Sequence, residues 1–192
     1  MSALPKPQWT IKSYLAFEEA SEVRHEYLYG EVYAMTGASK NHNLIVATTI
    51  TSLGTQLAKR PCAVFPSDQR LRVSAEQYSY PDISVVCGEP QFGDEKPDTL
   101  LNPTVLIEVL SPSTEGYDRG KKSEGYRKLK SLQEYLLISQ EKYHIEHYVR
   151  QNNKWVVTDV NQLDATIELT SIECTLAVAD IYQKVKFDDE SS

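Results

Sequence analysis

The spacing of apolar residues changes along the chain between two periods, which predicts a mixture of helices and strands. Between residues 41 and 59, apolar side chains recur every three or four positions, and this spacing places them on one buried face of a helix. These side chains are Val46, Ile50, Leu53 and Leu57. A shorter amphipathic pattern at residues 10–19 predicts a second helix, with Thr10 as its N-cap.

Apolar runs bounded by turn residues predict a series of strands. Residues 25–35 alternate around Gly30, which is typical of a β-hairpin. The remaining predicted strands are 62–65, 69–73, 83–87, 104–110, 135–138, 143–150, 154–160 and 164–169. The residues at 151–153 predict a hairpin turn between the two strands that flank them. Glycine, proline and acidic residues predict a loop at 88–103.

The order of these elements predicts the fold class. A helix at about 117–130 and a short helix at 178–183 complete the pattern. The alternation of helices and strands favours an α/β fold with helices on both faces of the sheet. A chain of 192 residues suits a single domain. Within it we expect an N-terminal helix at 10–20, a core at about 24–150, and C-terminal strands with a short helix at 151–187.

A carboxylate interrupts the most apolar of the predicted strands. Glu108 lies in the run Thr-Val-Leu-Ile-Glu-Val-Leu at 104–110, which is apolar on both faces and is therefore expected in the centre of the sheet. Burying an unpaired charge is costly, or it shifts the pKa until the group is neutral. Glu108 therefore requires a partner, such as a cation, a metal ion or a cluster of hydrogen bonds.

Two further residues complete a candidate site with Glu108. Asp82 lies at the head of the 83–87 strand, and a strand spacing of about 4.8 Å would let both carboxylates reach one ion if the strands are neighbours. Oxygen ligands suit Mg²⁺, with Mn²⁺ as an alternative, so Asp82 and Glu108 are the predicted metal ligands. Lys122 shares a helical face with Asp118 and Tyr126, and its ammonium group would stabilise charge that develops at a phosphodiester.

Each of these residues also has a structural explanation. A Pro-Asp pair commonly begins a turn, Glu108 could belong to a buried ion pair, and Asp118 with Lys122 is an ordinary i, i+4 pair. Leu110 occupies the position where an acidic-x-lysine motif would have its lysine, so the lysine would have to come from the following helix. The prediction therefore depends on the order and spacing of Asp82, Glu108 and Lys122 together. Lys121 points about 100° away from Lys122 and is the weaker candidate.

The charge distribution limits how a nucleic acid could bind. The net charge is −7, so the chain has no overall positive field that would attract DNA. Residues 119–130 contain six basic side chains and one acidic side chain, which gives a local charge of +5. Any nucleic acid would have to bind locally, and a solvated helix face explains the outer lysines equally well. The acidic residues at 188–190 are expected to form a mobile tail.

The apolar runs and the cysteines indicate the compartment. No apolar run approaches the ~20 residues that a membrane-spanning helix needs, and residues 1–7 lack the apolar core of a signal peptide. Cys62, Cys87 and Cys174 have no metal-ligand spacing, and their odd number argues against a disulfide framework. We therefore expect buried free thiols, a cytoplasmic location and no membrane partner.

A series of short motifs follows in order across residues 24–149. The motifs are Arg-His-Glu-Tyr-Leu-Tyr-Gly-Glu at 24–31, His-Asn at 42–43, Tyr-Pro-Asp-Ile-Ser-Val-Val at 80–86, Leu-Ile-Glu-Val-Leu-Ser-Pro-Ser-Thr at 106–114, Tyr-Asp-Arg-Gly-Lys-Lys-Ser-Glu-Gly-Tyr at 117–126 and Leu-Gln-Glu-Tyr-Leu-Leu-Ile at 132–138. The ordered series resembles the Uma-type restriction endonuclease family of the PD-(D/E)xK nuclease superfamily. The resemblance implies a restriction-endonuclease-like core with a mixed central sheet flanked by helices, and a Mg²⁺-dependent site.

The resemblance also implies roles for individual residues. Asp82 and Glu108 would be metal ligands, and Lys122 would be the catalytic lysine, moved from the strand to the next helix. Leu110 stands where the motif of the wider superfamily has its lysine, and the family that this chain resembles differs from the superfamily at the same position.

Glu26, Glu31 and His42 also fall at positions similar to those of the family. Glu26 or Glu31 could add a carboxylate to the metal or to its waters, or could be an exposed hairpin charge. For His42 we expect a structural hydrogen bond in the first helical turn, since no cysteine or second histidine is spaced for zinc. His144 and His147 fall on opposite faces of a strand and are not expected to pair.

The predicted function is metal-dependent hydrolysis of phosphodiester bonds in DNA. One alternative is a noncatalytic module that keeps the nuclease fold to bind nucleic acid or protein. Another is hydrolysis of a different phosphate or of a nucleotide. The hairpin at 143–160 is rich in Tyr and Val and could pair with a second copy of the chain, because a two-fold dimer suits cutting both strands of a palindrome.

Overall fold

A computed structural model of the protein describes residues 8–93 and 98–187. The helices are α1 (Ile11–Ala20), α2 (Lys40–Leu57), α3 (Glu115–Tyr117), α4 (Ser123–Tyr126) and α5 (Val178–Ile181), with a π-helical turn at Asp118–Lys122 and a 3₁₀ turn at Thr170–Ile172. The strands are β1 (His25–Leu28), β2 (Glu31–Ala34), β3 (Cys62–Pro66), β4 (Arg70–Ser74), β5 (Gln77–Ser79), β6 (Ile83–Cys87), β7 (Phe92–Gly93), β8 (Thr99–Leu100), β9 (Val105–Leu110), β10 (Glu134–Ser139), β11 (Ile145–Gln151), β12 (Lys154–Val160), β13 (Thr166–Leu169) and β14 (Cys174–Ala177).

The strands form two large sheets and one small one. The central sheet has the order β12-β11-β10-β9-β6-β3, in which β9 and β10 are parallel and the other pairs are antiparallel. The N-terminal sheet has the order β2-β1-β5-β4-β8-β7, and β13 pairs with β14. The predicted α/β fold with a mixed central sheet flanked by helices is therefore confirmed, and β9 lies in the interior of that sheet as expected.

The two faces of the central sheet pack against different elements. On the α2 face, side chains of β6, β9 and β10 pack against α2, α5 and the β13–β14 pair, as in the cluster of Ile107, Leu136, Leu53 and Ile181. On the opposite face, which we call the Lys122 face, Leu106 and Leu137 pack with Tyr126 of α4 and with side chains of the N-terminal sheet. Burial of each such side chain contributes about 1.5–3 kcal/mol.

Helices α1 and α2 form where the apolar spacing predicts them. Thr10 is the N-cap of α1, and its hydroxyl accepts a hydrogen bond from the Ser13 backbone N–H at 3.1 Å. The fully buried stripe of α2 is centred one residue earlier than expected, at Ile45, Thr49, Leu53 and Leu57. Val46 and Ile50 lie at its border and still pack against the core, because an apolar stripe covers about 100° of a helix.

The predicted helix at 117–130 is shorter and is broken. It begins at Glu115 and ends at Tyr126, and Gly120 adopts a non-helical conformation with φ −95° and ψ −108°. Gly125, which sequence alone marks as a cost to the helix, packs closely against β5. A Cβ atom at this position would overlap the side-chain amide of Gln77 in β5.

The expectation of three free thiols is wrong. Cys62 and Cys87 form a disulfide, and only Cys174 among the cysteines is a free, buried thiol. Strands β3 and β6 are antiparallel neighbours in which Cys62 lies directly opposite Cys87. Spacing along the chain does not reveal this register, because the two residues are 25 positions apart.

The remaining differences concern short elements. The predicted loop at 88–103 contains β7 and β8, which pair with each other at the edge of the N-terminal sheet. Strands β5 and β14 also lack a sequence signal. The predicted hairpin at 143–160 is confirmed as β11 and β12, and β12 is an edge strand.

The acidic residues 188–190 lie outside the described residues. Within the part of the chain that the structure describes, no helix has both the length and the apolarity to cross a bilayer.

Candidate active site

Asp82 and Glu108 lie on neighbouring strands at the same end of the central sheet. Strands β6 and β9 are antiparallel, and Ile83 is paired with Ile107, so Asp82 and Glu108 occupy the next step of the ladder. The backbone N–H of Val109 donates a hydrogen bond to Oδ2 of Asp82 at 2.7 Å. The adjacency on which the predicted pair depends is therefore present.

Lys122 lies among carboxylates in the interior of the protein. Its Nζ is 2.9 Å from Oε1 of Glu26, 3.0 Å from Oε1 of Glu108 and 3.5 Å from Oδ1 of Asp118. All four side chains are less than a tenth exposed. The break at Gly120 lies within the turn that carries Asp118 and Lys122, and Lys122 of this turn contacts Glu108 of β9.

The two glutamates of the β1–β2 hairpin have different surroundings. Glu26 on β1 is buried, contacts Lys122 and accepts a hydrogen bond from the Tyr80 backbone N–H at 3.2 Å. Glu31 is exposed and accepts a hydrogen bond from the hydroxyl of Tyr33. The structure thus brings Glu26 to the candidate site and leaves Glu31 at the surface.

Tyrosine side chains enclose the Glu108 carboxylate. The Tyr126 hydroxyl donates a hydrogen bond to Oε1 of Glu108 at 2.8 Å, and the ring of Tyr126 packs edge-on against Tyr135. Burial, followed by the charge of Glu108, raises the pKa of Tyr126 well above its ordinary value. Tyr126 therefore remains a neutral donor to Glu108.

The electrostatics of the cluster depend on burial and on crowding of like charges. Burial, together with the nearby carboxylates of Asp82 and Asp118, holds the pKa of Glu108 well above its usual range despite the opposing effect of Lys122. Burial also raises the pKa of Asp118, against the lowering effect of Lys122. Burial would lower the pKa of Lys122, but the charges of Glu108 and Glu26 outweigh it and raise this pKa well above its ordinary value. Lys122 is therefore a permanent cation.

His42 reaches the same site from the α2 side. Its backbone N–H donates to the hydroxyl of the N-cap residue Ser39 at 3.1 Å, and its ring Nε2 lies 3.2 Å from Oδ2 of Asp82. The expected first-turn hydrogen bond of His42 is thus present at the backbone. Its side chain has a different partner, because the first turn of α2 lies beside Asp82, the residue that precedes β6.

The donor set around Asp82 and Glu108 suits a hard divalent cation. The contacts of Asp82 with Val109 and His42 involve Oδ2, and those of Glu108 with Lys122 and Tyr126 involve Oε1. Oδ1 and Oε2 have no hydrogen bond to the residues that the structure describes. Mg²⁺ is commonly bound by one or two carboxylates, with water and substrate phosphate completing its octahedron. Two free carboxylate oxygens fit this requirement.

A second cluster of metal-ligand types lies on the same face of the central sheet. Ligand atoms of His144, Glu146 and Asp159 lie within 4.8 Å of one another, and Glu146 is in register with Glu108 two strands away. However, the Arg119 guanidinium contacts Glu146, and Asp159 is exposed. A resident guanidinium disfavours a metal ion here. His147 instead contacts Glu134, so the two histidines do not pair, as expected.

The basic residues at 119–130 have several surroundings. Lys122 is buried, whereas Lys121 and Lys130 are exposed. Arg119 contacts Glu115 and Glu146, and Lys128 forms an exposed pair with Glu124. The outer lysines are thus a solvated surface beside the buried site.

For Asp118 and Tyr126, the sequence predicts the helical face on which they lie but not the groups that they contact. Spacing at i, i+4 and i+8 places them on the face of Lys122, and both lie at the Glu108 cluster in the structure. The position of Glu26 follows from packing of β1 against the distant turn that carries Lys122, which no local pattern reveals.

Comparisons with known proteins show the family and the fold of the chain. The model of the Uma2 family, described as "Putative restriction endonuclease", matches residues 11–179. The chain belongs to this family. The match includes Glu26, Asp82, Glu108 and Lys122.

Similar proteins cover nearly the whole chain. Two uncharacterized proteins of Synechocystis, sll1609 and slr1290, are each 37% identical to it, over 84% and 95% of this chain and 92% and 96% of their own lengths. A crystal structure of a protein from Anabaena variabilis, titled a putative nuclease of DUF820, has a TM-score of 0.75 at 20% identity and covers 91% of this chain and 97% of its own. The similarity to the crystal structure supports the fold.

Proposed function

We propose that the protein is a metal-dependent endonuclease that hydrolyses phosphodiester bonds in DNA. The observation that carries the proposal is a largely buried cluster in which carboxyl groups outnumber ammonium groups. When all are ionised, the carboxylates of Glu26, Asp82, Glu108 and Asp118 outnumber the ammonium of Lys122 by four to one among the described residues. Buried charges are paired or coordinate metals, and a divalent cation would neutralise most of the excess.

Asp82 and Glu108 would hold the ion through Oδ1 and Oε2. The ion would be Mg²⁺, with Mn²⁺ as an alternative, and when bound it would polarise a phosphoryl oxygen as a Lewis acid. Val109 and His42 hold the other oxygen of Asp82, while Lys122 and Tyr126 hold the other oxygen of Glu108. These contacts fix the orientation of both carboxylates before the ion arrives.

Lys122 would supply the fixed positive charge of the site. Its ammonium lies 3.0 Å from Oε1 of Glu108, so it would be adjacent to a phosphate that binds beside this carboxylate. Glu26 and Asp118 hold the ammonium from two other sides. A preorganised charge of this kind stabilises negative charge that develops on the phosphoryl group.

DNA would be bound by local rather than global charge. Contacts to phosphates beside the site would come from exposed basic side chains of the segment that carries Lys122, such as Lys130. The edge strand β12 offers a surface for a second copy of the chain. Light scattering tests this part of the proposal: twice the chain mass of 21.8 kDa supports a dimer, and a single chain mass contradicts it.

One observation favours a noncatalytic module instead. The Lys122 ammonium already has three carboxylate neighbours, and such a closed ion-pair network can serve structure alone. In that case the fold would bind nucleic acid or protein without cleaving it. Hydrolysis of another phosphate, or of a nucleotide, would use the same residues and is distinguished by the substrate offered.

Cleavage of supercoiled plasmid DNA tests the proposal. We expect nicking by the wild type with Mg²⁺ or Mn²⁺ and none with chelator. The Lys122→Ala variant should lose on the order of 10²–10³ in rate, because one preorganised charge is removed. The exposed neighbour provides the matched control, and Lys121→Ala should retain most of the activity. Equal cleavage by Asp82→Ala, or cleavage in chelator, would rule out the assignment, while metal-independent DNA binding without cleavage would favour the noncatalytic module.

A further inference from the structure

The first turn of α2 is anchored from three directions, and this fixes the position of the His42 ring. The Ser39 hydroxyl caps the helix by accepting from the His42 backbone N–H, and it also contacts the side chain of Gln140 after β10. The Asn41 side-chain amide donates to the backbone carbonyls of Lys186 at 2.8 Å and of Gln140 at 3.4 Å. The His42 side chain is 13% exposed, and its ring contacts Asp82.

Asp82 is held by two elements that meet at one of its oxygens. Val109 of β9 donates to Oδ2 at 2.7 Å, and the His42 ring Nε2 lies 3.2 Å from the same atom. A carboxylate with one anchored oxygen cannot rotate freely about its last side-chain bond. Oδ1 is then presented in a defined direction on the side away from both contacts.

Two observations argue against His42 as a ligand of the metal itself. Histidines that bind a metal normally donate the N–H of their second ring nitrogen to a carboxylate or carbonyl group. The second ring nitrogen of His42, Nδ1, is buried and has no such partner among the described residues. Furthermore, ligand atoms of His42, Asp82 and Glu108 do not all lie within 4.8 Å of one another, a condition met in the described chain by the His144 cluster.

We infer that His42 is a positioning residue, which donates Nε2–H to Oδ2 of Asp82 and orients Oδ1 toward the divalent cation without coordinating it. The inference rests on the proposed function, since it assigns His42 a role toward the metal of that site. It also links the C-terminal segment to the site, because the carbonyl of Lys186 anchors the helix turn that carries His42.

The affinity for Mn²⁺ tests the inference without any nuclease assay. It is measured from the decrease in the EPR signal of free Mn²⁺ as the ion binds. His42→Ala should weaken Mn²⁺ binding about 10–100-fold, as loss of an outer-shell partner does. His42→Gln should recover most of the affinity, because a glutamine amide N–H can replace the Nε2–H donor. Asn43→Ala, an exposed neighbour on the same turn, is the matched control and should bind Mn²⁺ like the wild type.

Electron spin-echo measurements on bound Mn²⁺ show whether His42 is a ligand in the unaltered protein, because an imidazole ¹⁴N that coordinates the ion modulates the echo. We expect no such modulation. Coordinated ¹⁴N that disappears in His42→Ala would overturn the inference, as would unchanged Mn²⁺ affinity in that variant or a failure of His42→Gln to recover the affinity.

Failure of the proposed function has a different signature. In that case the wild type would not bind Mn²⁺, or Asp82→Ala would bind it equally well. Circular dichroism of each variant checks that the chain remains folded.

Discussion

At the scale of single residues, the candidate site depends on the partners of its buried charged groups. The Lys122 ammonium lies within 3.5 Å of three carboxylates, and Tyr126 donates to one of them. Crowding and burial raise the pKa of Glu108, so a proton occupies this carboxyl group more readily than an exposed one. A divalent cation would displace that proton, and its binding should therefore strengthen as pH rises.

A second buried carboxylate gives a prediction about acid stability. Glu134 accepts hydrogen bonds from the Ser171 backbone N–H at 2.7 Å and lies 2.6 Å from Nε2 of His147. Burial would raise its pKa, but the hydrogen bonds from His147 and Ser171 outweigh this and lower it below the ordinary value of 4.5. The folded state thus binds this proton less tightly than the unfolded state, so the contribution of Glu134 to stability is present above pH 4.5 and is lost as pH falls through the lowered pKa.

Glu134→Gln removes this linkage, and we expect its free energy of unfolding to fall less steeply with pH below about 5 than that of the wild type. Urea titrations at a series of pH values measure the slopes. The exposed Glu168 on β13 provides the control, and Glu168→Gln should follow the wild type. The same slope for Glu134→Gln and the wild type would contradict the assigned pKa direction.

At the scale of secondary structure, the glycines of the 115–126 segment have different roles. Gly120 allows the break that turns Lys122 toward β9, with φ −95° and ψ −108°. Gly125 allows α4 to approach Gln77 on β5. Gly116 of α3 is exposed, and no atom lies within 4 Å of the position that its Cβ would occupy.

These environments predict opposite effects of the same substitution. Gly125→Ala should destabilise the fold by about 1–3 kcal/mol, because the added methyl group overlaps the Gln77 amide in a packed interior. Gly116→Ala should be neutral or stabilising by up to about 1 kcal/mol, because alanine favours the helix and meets no neighbour. Chemical denaturation measures both variants, and equal effects at the two positions would contradict the packing described for Gly125.

The disulfide between β3 and β6 gives a second prediction at the scale of secondary structure, which concerns the free energy of unfolding. Cys62 and Cys87 are separated by 25 residues, and closing a loop of this length in the unfolded chain contributes about 3 kcal/mol. Reduction with dithiothreitol should lower the free energy of unfolding by this order. A Cys62→Ser/Cys87→Ser variant should not respond to the reductant. A similar response of this variant would point to another effect of the reductant, such as one on Cys174.

The sequence predicts features that depend on local periodicity and misses those that depend on register. The α2 pattern, the Gly30 hairpin and the apolar run around Glu108 each have a local signal, and all three form as expected. The pairing of Cys62 with Cys87 depends on strand order, which no spacing reveals. Glu26 of the N-terminal sheet joins Lys122 of the π-helical turn through a contact between residues 96 positions apart in the chain. Helix propensity alone does not tell that the segment breaks at Gly120 and continues through Gly125.

At the scale of the whole molecule, the fold gathers charged residues from distant parts of the chain at one end of the central sheet. Glu26 comes from the N-terminal sheet, Asp82 and Glu108 come from the central sheet, and Lys122 comes from the broken helix between β9 and β10. Helix α2 and the C-terminal segment support this end from the opposite face. A net charge of −7 favours the approach of cations, whereas binding of DNA would require local positive charge.

The central claim is that Asp82 and Glu108 bind one divalent cation beside Lys122. Its most direct test is the anomalous difference density of crystals of the protein soaked in Mn²⁺. The account predicts a peak between Oδ1 of Asp82 and Oε2 of Glu108, which Asp82→Ala abolishes. Well-ordered crystals that show no peak there, or a peak confined to the cluster of His144, Glu146 and Asp159, would contradict it.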